Sequence, residues 1–261
     1  MKATEQLRKE HKVIRLATVL LEILKPETSK NIGDIEKLLE FFNIFTDKCH
    51  HGKEEGILFP ALEKVGIPKE GGPIQVMLDE HQIGRNLLKE IKNDLQNLKS
   101  NQTLKSSQVQ EYEEKIQENI SGYIELIEAH IQKENNILFA IADMHLDDKT
   151  QEELFQEFEK FEEKEIGPGK HEEFHKIIGE IKIKVLGKGK VLDVRDIPPA
   201  QRHRIIFSEF ENLKKKENFI LINEHDPKPL WHQFQAEKEG KFSWGYIIQG
   251  PIIWGVRIGK E

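Results

Sequence analysis

The chain has 261 residues, of which 37% are hydrophobic and 33% are charged, and this supply of apolar side chains excludes an intrinsically disordered protein. A formal net charge of -7 argues against nucleic acid as a partner, and a single cysteine, Cys49, excludes disulfide frameworks and cysteine-rich zinc modules. The charged amino terminus is unlike a signal peptide, and no apolar run reaches the ~18 to 20 residues of a membrane helix. We therefore expect a soluble, cytoplasmic protein that does not contact a membrane.

Residues 1 to about 185 are predicted to be helical almost throughout. Apolar residues with a 3.6-residue period, interrupted by clusters of breakers, predict helices at 7–24, from about 32 to beyond 51, at 74–98 and at 109–144. The breaker clusters lie at 26–29, 66–73 and 100–107. Four long helices with short connections predict an antiparallel bundle, and the segment 154–186 adds a fifth helical segment that is interrupted at Gly167-Pro168-Gly169.

The sequence changes character after Gly187-Lys188-Gly189. Short β-type runs at 191–194 and 219–222 enclose a predicted helix at 202–213, and 242–258 is typical of a β-hairpin with Gly250-Pro251 at its turn. We predict a two-domain fold: an antiparallel four-helix bundle with an extra fifth helix in residues 1–186, then a small two-layer α+β domain in residues 190–261.

The predicted bundle contains an internal repeat made of residue types that bind metals. The pattern Glu-His-x-x-x-Arg begins at Glu10 and recurs at Glu80, so the second copy starts 70 residues after the first. The pattern His-x-x-Lys-Glu-x-x-Ile-Leu-Phe begins at His50 and recurs 80 residues later at His130. Two helical hairpins of the same design are therefore expected to pack side by side.

The repeated histidines and glutamates form a candidate metal site. A histidine and a glutamate four residues apart project from the same face of a helix, so one ion can contact both. When the hairpins pack, four imidazoles and two carboxylates can converge on the bundle axis. The candidate ligands are His11, His50, Glu54, His81, His130 and Glu134. Such a set is sufficient for two ions bridged by carboxylates, and it suits iron or manganese better than structural zinc.

His51 and Glu55 form a rival pair that is shifted by one residue. The repeat aligns Glu55 with Asn135, which is not a comparable anionic ligand. A shift of one residue also rotates a side chain by about 100° around an α-helix. We therefore expect His51 to face away from the ligands, as an outer partner of the site or as a surface residue. Cys49 is expected to be a core or partly exposed thiol.

Charged residues beside the candidate ligands leave two interpretations open. Glu10, Glu80, Lys53 and Lys133 are either partners that hold the ligands or members of a solvated helix face, and the sequence favours the solvated face. Tyr123 lies two turns before the histidine of the fourth helix, and it is a candidate for hydrogen bonding to a bound oxygen species.

Residues 1 to about 185 resemble the hemerythrin-like family, whose domain is also called the HHE cation-binding domain. The matching residues are His11, His50-x-x-x-Glu54, His81 and His130-x-x-x-Glu134. The set is most similar to the branch with four histidines and two glutamates, which includes di-iron proteins that repair damaged iron-sulfur clusters. The resemblance implies two non-haem iron ions joined by an oxo or hydroxo bridge, with Glu54 and Glu134 as bridging carboxylates and the histidines as terminal ligands.

The same resemblance separates this chain from the oxygen carriers of the family. Those proteins add a fifth histidine one turn from the ligand of the third helix, where this chain has Met77 and Arg85. They also end with His-x-x-x-x-Asp, whereas the last pair here is His130-x-x-x-Glu134. Reversible storage of oxygen is therefore not expected.

Three functions are compatible with the predicted site. The leading hypothesis is a non-haem di-iron protein that responds to dioxygen or nitric oxide, in stress response, sensing or iron-sulfur cluster repair. The alternatives are an iron-binding or storage module that acts for a protein partner through the C-terminal domain, and a ferroxidase or peroxide-consuming enzyme. The sequence does not decide whether the protein is an enzyme.

The segment from His171 to His175 matches the His-Glu-x-x-His motif of zinc peptidases. The apolar face of the segment is typical of a packed helix, and no signature of a third ligand follows it. We therefore expect part of the fifth helix rather than a peptidase centre.

Four stretches of residues 190–261 carry a second resemblance: Leu-Asp-Val-Arg-Asp-Ile-Pro-Pro at 192–199, Asn-Glu-His-Asp-Pro-Lys-Pro-Leu at 223–230, Gln233-Phe234 and Gly250-Pro251. On these stretches the C-terminal residues resemble an uncharacterised α+β module that is often appended to hemerythrin-like domains. Their layout is also similar to that of small sulfur-relay proteins, which carry a Cys-Pro-x-Pro nucleophile at a strand-to-helix turn. Here the turn is Ile197-Pro198-Pro199-Ala200, so that thiol chemistry is not available. A polar pocket and an interaction or regulatory surface both remain possible roles. The residues that would form the pocket are His203, His225, Asp226, His232 and Glu237.

Overall fold

The computed structural model describes residues 1–100 and 105–261, and residues 101–104 of the predicted loop lie outside the described residues. The chain divides into two compact units, Met1–Ile181 and Lys182–Glu261. The first is helical, and the second contains a four-stranded sheet with helices, which confirms the predicted fold class. Among the described residues, none of the helices combines the length and apolar character that a transmembrane span requires.

The helices of the first unit follow the predicted order. They are α1 (Ala3–Leu24), α2 (Thr28–Phe41), α3 (Phe59–Lys64), α4 (Pro73–Ser100), α5 (Ser106–Lys133), α6 (Phe139–His145), α7 (Asp148–Glu165) and α8 (Lys170–Leu186). Pro26 ends the regular part of α1, and a short 3₁₀ turn, Lys25–Glu27, connects it to α2. The fifth segment is divided at Gly167, where φ is +87°, and α8 runs on into the second unit.

The second and fourth predicted helices differ from the expectation of regular α-helix. Between α2 and α3 the chain forms two π-helical segments, π1 (Phe42–His51) and π2 (Glu54–Leu58). A third segment, π3 (Glu134–Leu138), separates α5 from α6. A π-helix closes its hydrogen bonds between residues i and i+5, so its turn is wider than an α turn and each residue rotates by less. The irregular turns coincide with the candidate ligands of both hairpins.

The core of the bundle brings distant helices together at the level of these π turns. A cluster of buried apolar side chains contains residues of α1, α3, α4, α6 and α7 and of the π segments π2 and π3. It includes Leu7, Leu58, Phe59, Leu138, Phe139 and Phe158. Helix α7 also packs closely on Gly52, because a Cβ atom at that position would lie 2.7 Å from the ring of Phe161. The candidate ligands are thereby enclosed on the side of α7.

The second unit is a two-layer α+β structure. Its strands are β1 (Lys190–Asp193), β2 (Asn218–Asn223), β3 (Phe242–Gln249) and β4 (Trp254–Lys260), in the order β1-β2-β4-β3. Strand β1 pairs with β2 in parallel, and the other pairs are antiparallel. The parallel pair requires a crossover, which α9 (Pro199–Asn212) provides.

Alternate residues of the central strands face the helices of this unit. Phe219 and Leu221 of β2 lie in one cluster with Val256 and Ile258 of β4. The cluster also contains residues of α9 and of α10 (Lys228–Lys238). Helix α10 is not predicted from the sequence, because Pro227 and Pro229, which flank its first residue Lys228, are typical of a loop.

Candidate metal centre

The structure brings all six predicted residues together in the interior of the bundle. Helix α1 carries His11, α4 carries His81, and the two irregular helices carry the rest. None of the six side chains is more than 2% exposed. The imidazoles form two pairs, because His11 Nε2 lies 3.0 Å from His50 Nε2, and His81 Nε2 lies 3.1 Å from His130 Nε2.

Each glutamate lies between the two imidazole pairs. One oxygen of Glu54 is 3.6 Å from His50 Nε2 and the other is 3.5 Å from His81 Nε2. One oxygen of Glu134 is 3.1 Å from His11 Nε2 and the other is 3.3 Å from His130 Nε2. Both carboxylates therefore contact one imidazole of each pair, as a bridging ligand between two ions would.

The chemistry of this donor set fits metal ions. All four oxygens of Glu54 and Glu134 are buried, and none accepts a hydrogen bond from the residues at 1–100 and 105–261. Buried polar atoms in such a state need another partner. Two ligands at right angles on one ion, with bonds of about 2.1 Å, lie about 3.0 Å apart, which matches the separation within each imidazole pair. Ligand atoms of His11, His50, Glu54 and Glu134 lie within 4.8 Å of one another.

Buried charge at the centre displaces several pKa values. Burial and the nearby Glu134 raise the pKa of Glu54 well above its usual range. Burial would also raise the pKa of Glu134, but the imidazoles of His130 and His11 hold it well below the usual range. Burial would lower the pKa of His130, but Glu134 and Glu80 raise it to about 9. Without metal the centre therefore retains protons, which a cation displaces on binding.

A second residue orients each imidazole through its Nδ1 atom. The pairs are His11 with Asn135 at 2.9 Å, His50 with Glu10 at 2.8 Å, His81 with Glu55 at 2.7 Å and His130 with Glu80 at 3.0 Å. The oxygen of an amide or of an ionised carboxylate can only accept, so Nδ1 of each ring carries the proton and donates it. The Nε2 atom of each ring is then free to bind a metal.

The prediction of a solvated helix face is wrong for two of the charged neighbours. Glu10 is 3% exposed and Lys53 is fully buried. Lys53 Nζ donates to Glu10 Oε1 at 2.8 Å and to Glu162 Oε2 at 2.6 Å. The other oxygen of Glu162 lies 2.8 Å from His171 Nδ1. A chain of charged contacts therefore connects His50, through Glu10, with helices α7 and α8.

The other half of the repeat has a more open version of this arrangement. Lys133 donates to Glu80, as Lys53 does to Glu10, but 38% of the Lys133 side chain is exposed. The sequence could not distinguish the two lysines, because Glu162 comes from α7 and lies outside the repeat.

Replacing Glu162 by Gln is expected to destabilise the metal-free bundle by about 1–3 kcal/mol at neutral pH, because Lys53 and His171 lose a charged acceptor. Burial would raise the pKa of Glu162, but His171 and Lys53 lower it to about 2, from an ordinary value of 4.5. The stabilisation is therefore present above pH 4.5 and is lost as the pH falls from 4.5 toward 2. Unfolding followed by far-ultraviolet circular dichroism over this range measures the difference between the two proteins.

The matched control is Glu163→Gln, at the exposed neighbouring position. It should change the free energy of unfolding by less than about 0.5 kcal/mol at every pH. A Glu162→Gln effect that stays constant down to the acid limit would contradict the ionic role of Glu162.

The prediction that His51 faces away from the centre is wrong. Its side chain is 5% exposed and its ring stacks on that of His81, with centroids 3.8 Å apart and an angle of 15°. The expectation assumed the 100° step of a regular α-helix. Both His50 and His51 belong to π1, whose wider turn reduces that step, so two consecutive histidines both reach the interior.

Arg85 organises the surroundings of His51 and His81. Its Nε donates to Asp47 Oδ1 at 2.7 Å, and its Nη2 donates to Glu55 Oε1 at 2.7 Å. Glu55 in turn contacts His81. Glu55, which the sequence offers as a rival ligand, is therefore the orienting partner of the candidate ligand His81.

Tyr123 and Cys49 are both buried side chains. Tyr123 is 1% exposed, lies edge to face with Phe42 at 5.0 Å, and has a pKa raised well above its usual range by burial and by the charge of Asp47. Cys49 is 1% exposed, and burial raises the pKa of its thiol to about 12. A thiol in this state is not a nucleophile at neutral pH.

The peptidase-like motif lies in the first turns of α8. His171 is paired with Glu162, and its ring stacks on that of His175 at 4.7 Å. Neither histidine belongs to the metal-capable groups found among the described residues.

The predicted polar residues of the second unit do not form one pocket. His203 and His225 line a cavity of about 110 Å³ beside the buried Arg202. Asp226 instead accepts a hydrogen bond from Tyr246 at 2.7 Å. Glu237 accepts one from Gln233, and His232 lies against Trp231.

The fold and the clusters of buried imidazoles and carboxylates define a cation-binding helical bundle. A family model described as the Hemerythrin HHE cation binding domain matches residues 2–142, more than half of the chain. The chain therefore belongs to the hemerythrin HHE cation-binding family. A second model, described as Uncharacterized conserved protein (DUF2249), matches residues 191–260. No curated protein matches the chain.

Proposed function

We propose that the bundle binds two non-haem iron ions side by side, and that the iron pair takes dioxygen or nitric oxide as its small-molecule ligand. The proposed ligands are His11, His50, Glu54, His81, His130 and Glu134. The observation that carries the proposal is the position of the two glutamates, since each contacts one imidazole of each pair.

The chemistry of the donor set favours iron. Imidazole nitrogen and carboxylate oxygen suit iron or manganese with open positions, whereas thiolates are more typical of structural zinc. Cys49 is outside both metal-capable groups, and its thiol remains protonated at neutral pH. Four imidazoles and two carboxylates do not fill two octahedra. A bound ferrous pair would supply open coordination positions and electrons to a diatomic ligand.

The protein residues keep the proposed centre dry and hold the ring orientations. The ring of Phe139 lies parallel to that of His11 at 5.4 Å, and Phe59 lies parallel to His81 at 6.2 Å. These phenylalanines occupy equivalent places in the repeat and are at most 2% exposed. They cover one face of each ring and would exclude water from it, which strengthens electrostatic interactions in the site.

The cellular role belongs to the same proposal. A cytoplasmic protein with this centre would act in stress response, in sensing, or in the repair of iron-sulfur clusters. The C-terminal unit of residues 190–261 is a candidate surface for a protein partner, and its turn at Pro198-Pro199 carries no cysteine for sulfur transfer.

The test is an anaerobic titration of the full chain. We expect the purified protein to bind two ferrous ions per chain, and the loaded protein to bind nitric oxide with a change in its optical spectrum. Exposure to dioxygen should then change the spectrum irreversibly. A chain that retains metal but responds to neither gas would contradict the proposed ligand.

Three other results would replace this function with an alternative. Reversible loading of iron without reaction would indicate a storage module. Rapid oxidation of added ferrous ion by dioxygen or peroxide would indicate a ferroxidase or peroxide-consuming enzyme. A stable, reversible oxygen band would indicate an oxygen carrier instead.

A further inference from the structure

The four residues that orient the proposed imidazole ligands differ in chemical type at one place. Three of them are carboxylates, and the fourth is the amide of Asn135, which orients His11. Its counterpart 80 residues earlier in the repeat is Glu55, which orients His81. These two histidines are themselves equivalent in the repeat. The orienting partners of the two halves therefore match, except for a carboxylate on one side and an amide on the other.

The carboxylate of Glu55 is the stronger acceptor of this pair. Its Oε1 lies 2.7 Å from His81 Nδ1, whereas Asn135 Oδ1 lies 2.9 Å from His11 Nδ1. Arg85 Nη2 donates to the same oxygen of Glu55 at 2.7 Å, so a charged group holds the carboxylate in place. Hydrogen bonds to an ionised acceptor are about twice as strong as those to a neutral one. A carboxylate that accepts from one ring nitrogen also makes the other a more basic metal ligand.

The remaining two ligands are oriented in the same way on both sides. His50 and His130 each face a glutamate, and that glutamate in turn accepts a hydrogen bond from a lysine. Partners of the same chemical type do not favour either half of the centre. The comparison of the two halves therefore depends on the carboxylate of Glu55 and the amide of Asn135.

We propose that the two metal positions are unequal, and that Glu55 and Asn135 are the positioning residues that decide the order in which they fill. The position between His81 and His130 fills first, because carboxylates orient both of its imidazoles. The position of the other imidazole pair fills second, with a dissociation constant about tenfold larger. The inference rests on the proposed function, since it assumes two bound ions. Partial loading then gives one defined one-metal form rather than a mixture.

The test is the loading of the full chain with zinc, a diamagnetic ion that imidazole also binds. Nuclear magnetic resonance of the ring nitrogens distinguishes metal-bound from free imidazoles. With one zinc ion per chain, His81 and His130 should be mostly metal-bound, whereas His11 and His50 should be mostly free. Equal occupancy of the two positions, or the reverse order, would overturn the inference.

Two substitutions that preserve the shape of the side chain should change this order. Asn135→Asp gives His11 a carboxylate partner, and it should lower the dissociation constant of the second position by about tenfold. Combining it with Glu55→Gln should reverse the order, so that the ring of His11 is bound before that of His81. Misfolding does not produce such a gain of affinity. An unchanged order in the double variant would overturn the assignment of these two residues.

The control substitution is Asn136→Asp, which makes the same change of an amide to a carboxylate one residue further along. Asn136 is exposed, and it orients none of the four imidazoles. The order should stay the same and both dissociation constants should change by less than about twofold, because water and salt screen an exposed charge. An equal effect of the two aspartate variants would mean that net charge alone sets the affinity, and would overturn the role of the hydrogen bond.

The number of bound ions separates this inference from the proposed function. A wild-type chain that binds fewer than two ferrous ions would contradict the proposed function itself. A chain that binds two ferrous ions but fills both positions equally with zinc would contradict only the role of Glu55 and Asn135.

Discussion

Replacing both Glu54 and Glu134 by Gln is expected to abolish the binding of the metal pair, because each carboxylate contacts both imidazole pairs. The wild-type chain should gain about 4 kcal/mol of stability when free metal is about 1,000 times its dissociation constant. For a unit of this size that is a rise of about 10 °C in the melting temperature. The double variant should show neither bound metal nor a metal-dependent shift.

Glu55→Gln is the matched control for this loss of metal. Glu55 follows Glu54 directly and contacts His81 Nδ1, so it orients a ligand without bridging the pairs. The variant should still bind two ions, with affinity lowered about 10- to 100-fold. If the double variant kept two ions per chain, the bridging role of the glutamates would be wrong.

Without metal, the Glu54→Gln variant should be nearly as stable as the wild-type chain. Burial and the charge of Glu134 raise the pKa of Glu54, so this carboxyl is protonated at neutral pH without metal. Gln has nearly the same shape and charge as a protonated Glu. The single substitution Glu54→Gln should therefore change the metal-free stability by less than about 1 kcal/mol. Loss of metal binding without loss of fold would distinguish a ligand from a structural residue.

Replacing Lys53 by Met is expected to destabilise the bundle by about 3–5 kcal/mol, because the substitution leaves the buried carboxylate of Glu10 and the half-buried carboxylate of Glu162 without their shared cation. Burial would raise the pKa of Glu10, but Lys53 and His50 hold it at about 2. Without Lys53, the carboxylates must be desolvated unpaired or take up protons. Chemical unfolding of the metal-free chain, followed by circular dichroism, measures the loss.

The repeat supplies the control. Lys133 occupies the equivalent position and contacts Glu80, but it is partly solvated. Lys133→Met should therefore cost about 0–1 kcal/mol. All three tryptophans, Trp231, Trp244 and Trp254, belong to the second unit, so their fluorescence follows that unit separately. Equal losses in the two lysine variants would show that burial of Lys53 has no energetic consequence.

Much of the candidate site could be predicted because it is repeated. One histidine and one glutamate on a helix are weak evidence, but the same spacing at His50 and His130 implied two equivalent hairpins. The apolar period gave the helices, and the convergence of six residues on the axis followed from packing them. The fold of the second unit was also predictable, except for α10, because the prolines on either side of its first residue are typical of a loop.

The remainder depended on information that a local pattern does not contain. The inward position of His51 follows from π turns, and a search with a 3.6-residue period treats those residues as regular α-helix. The burial of Glu10 and Lys53 depends on Glu162, which lies more than 100 residues away along the chain. Charged residues at such positions are usually solvated, and only the packing of α7 makes them an exception.

The packing of α7 also implies that the metal-binding module is longer than the segment that the family model matches. A chain truncated at residue 142, where the match ends, would keep every proposed ligand. It would lose Glu162, the second acceptor of Lys53, and the ring of Phe161 that covers Gly52. It would also lose Phe158 from the apolar cluster beneath the ligands. Such a fragment would keep the ligand residues, but water would reach them more easily and the surrounding side chains would hold them less firmly.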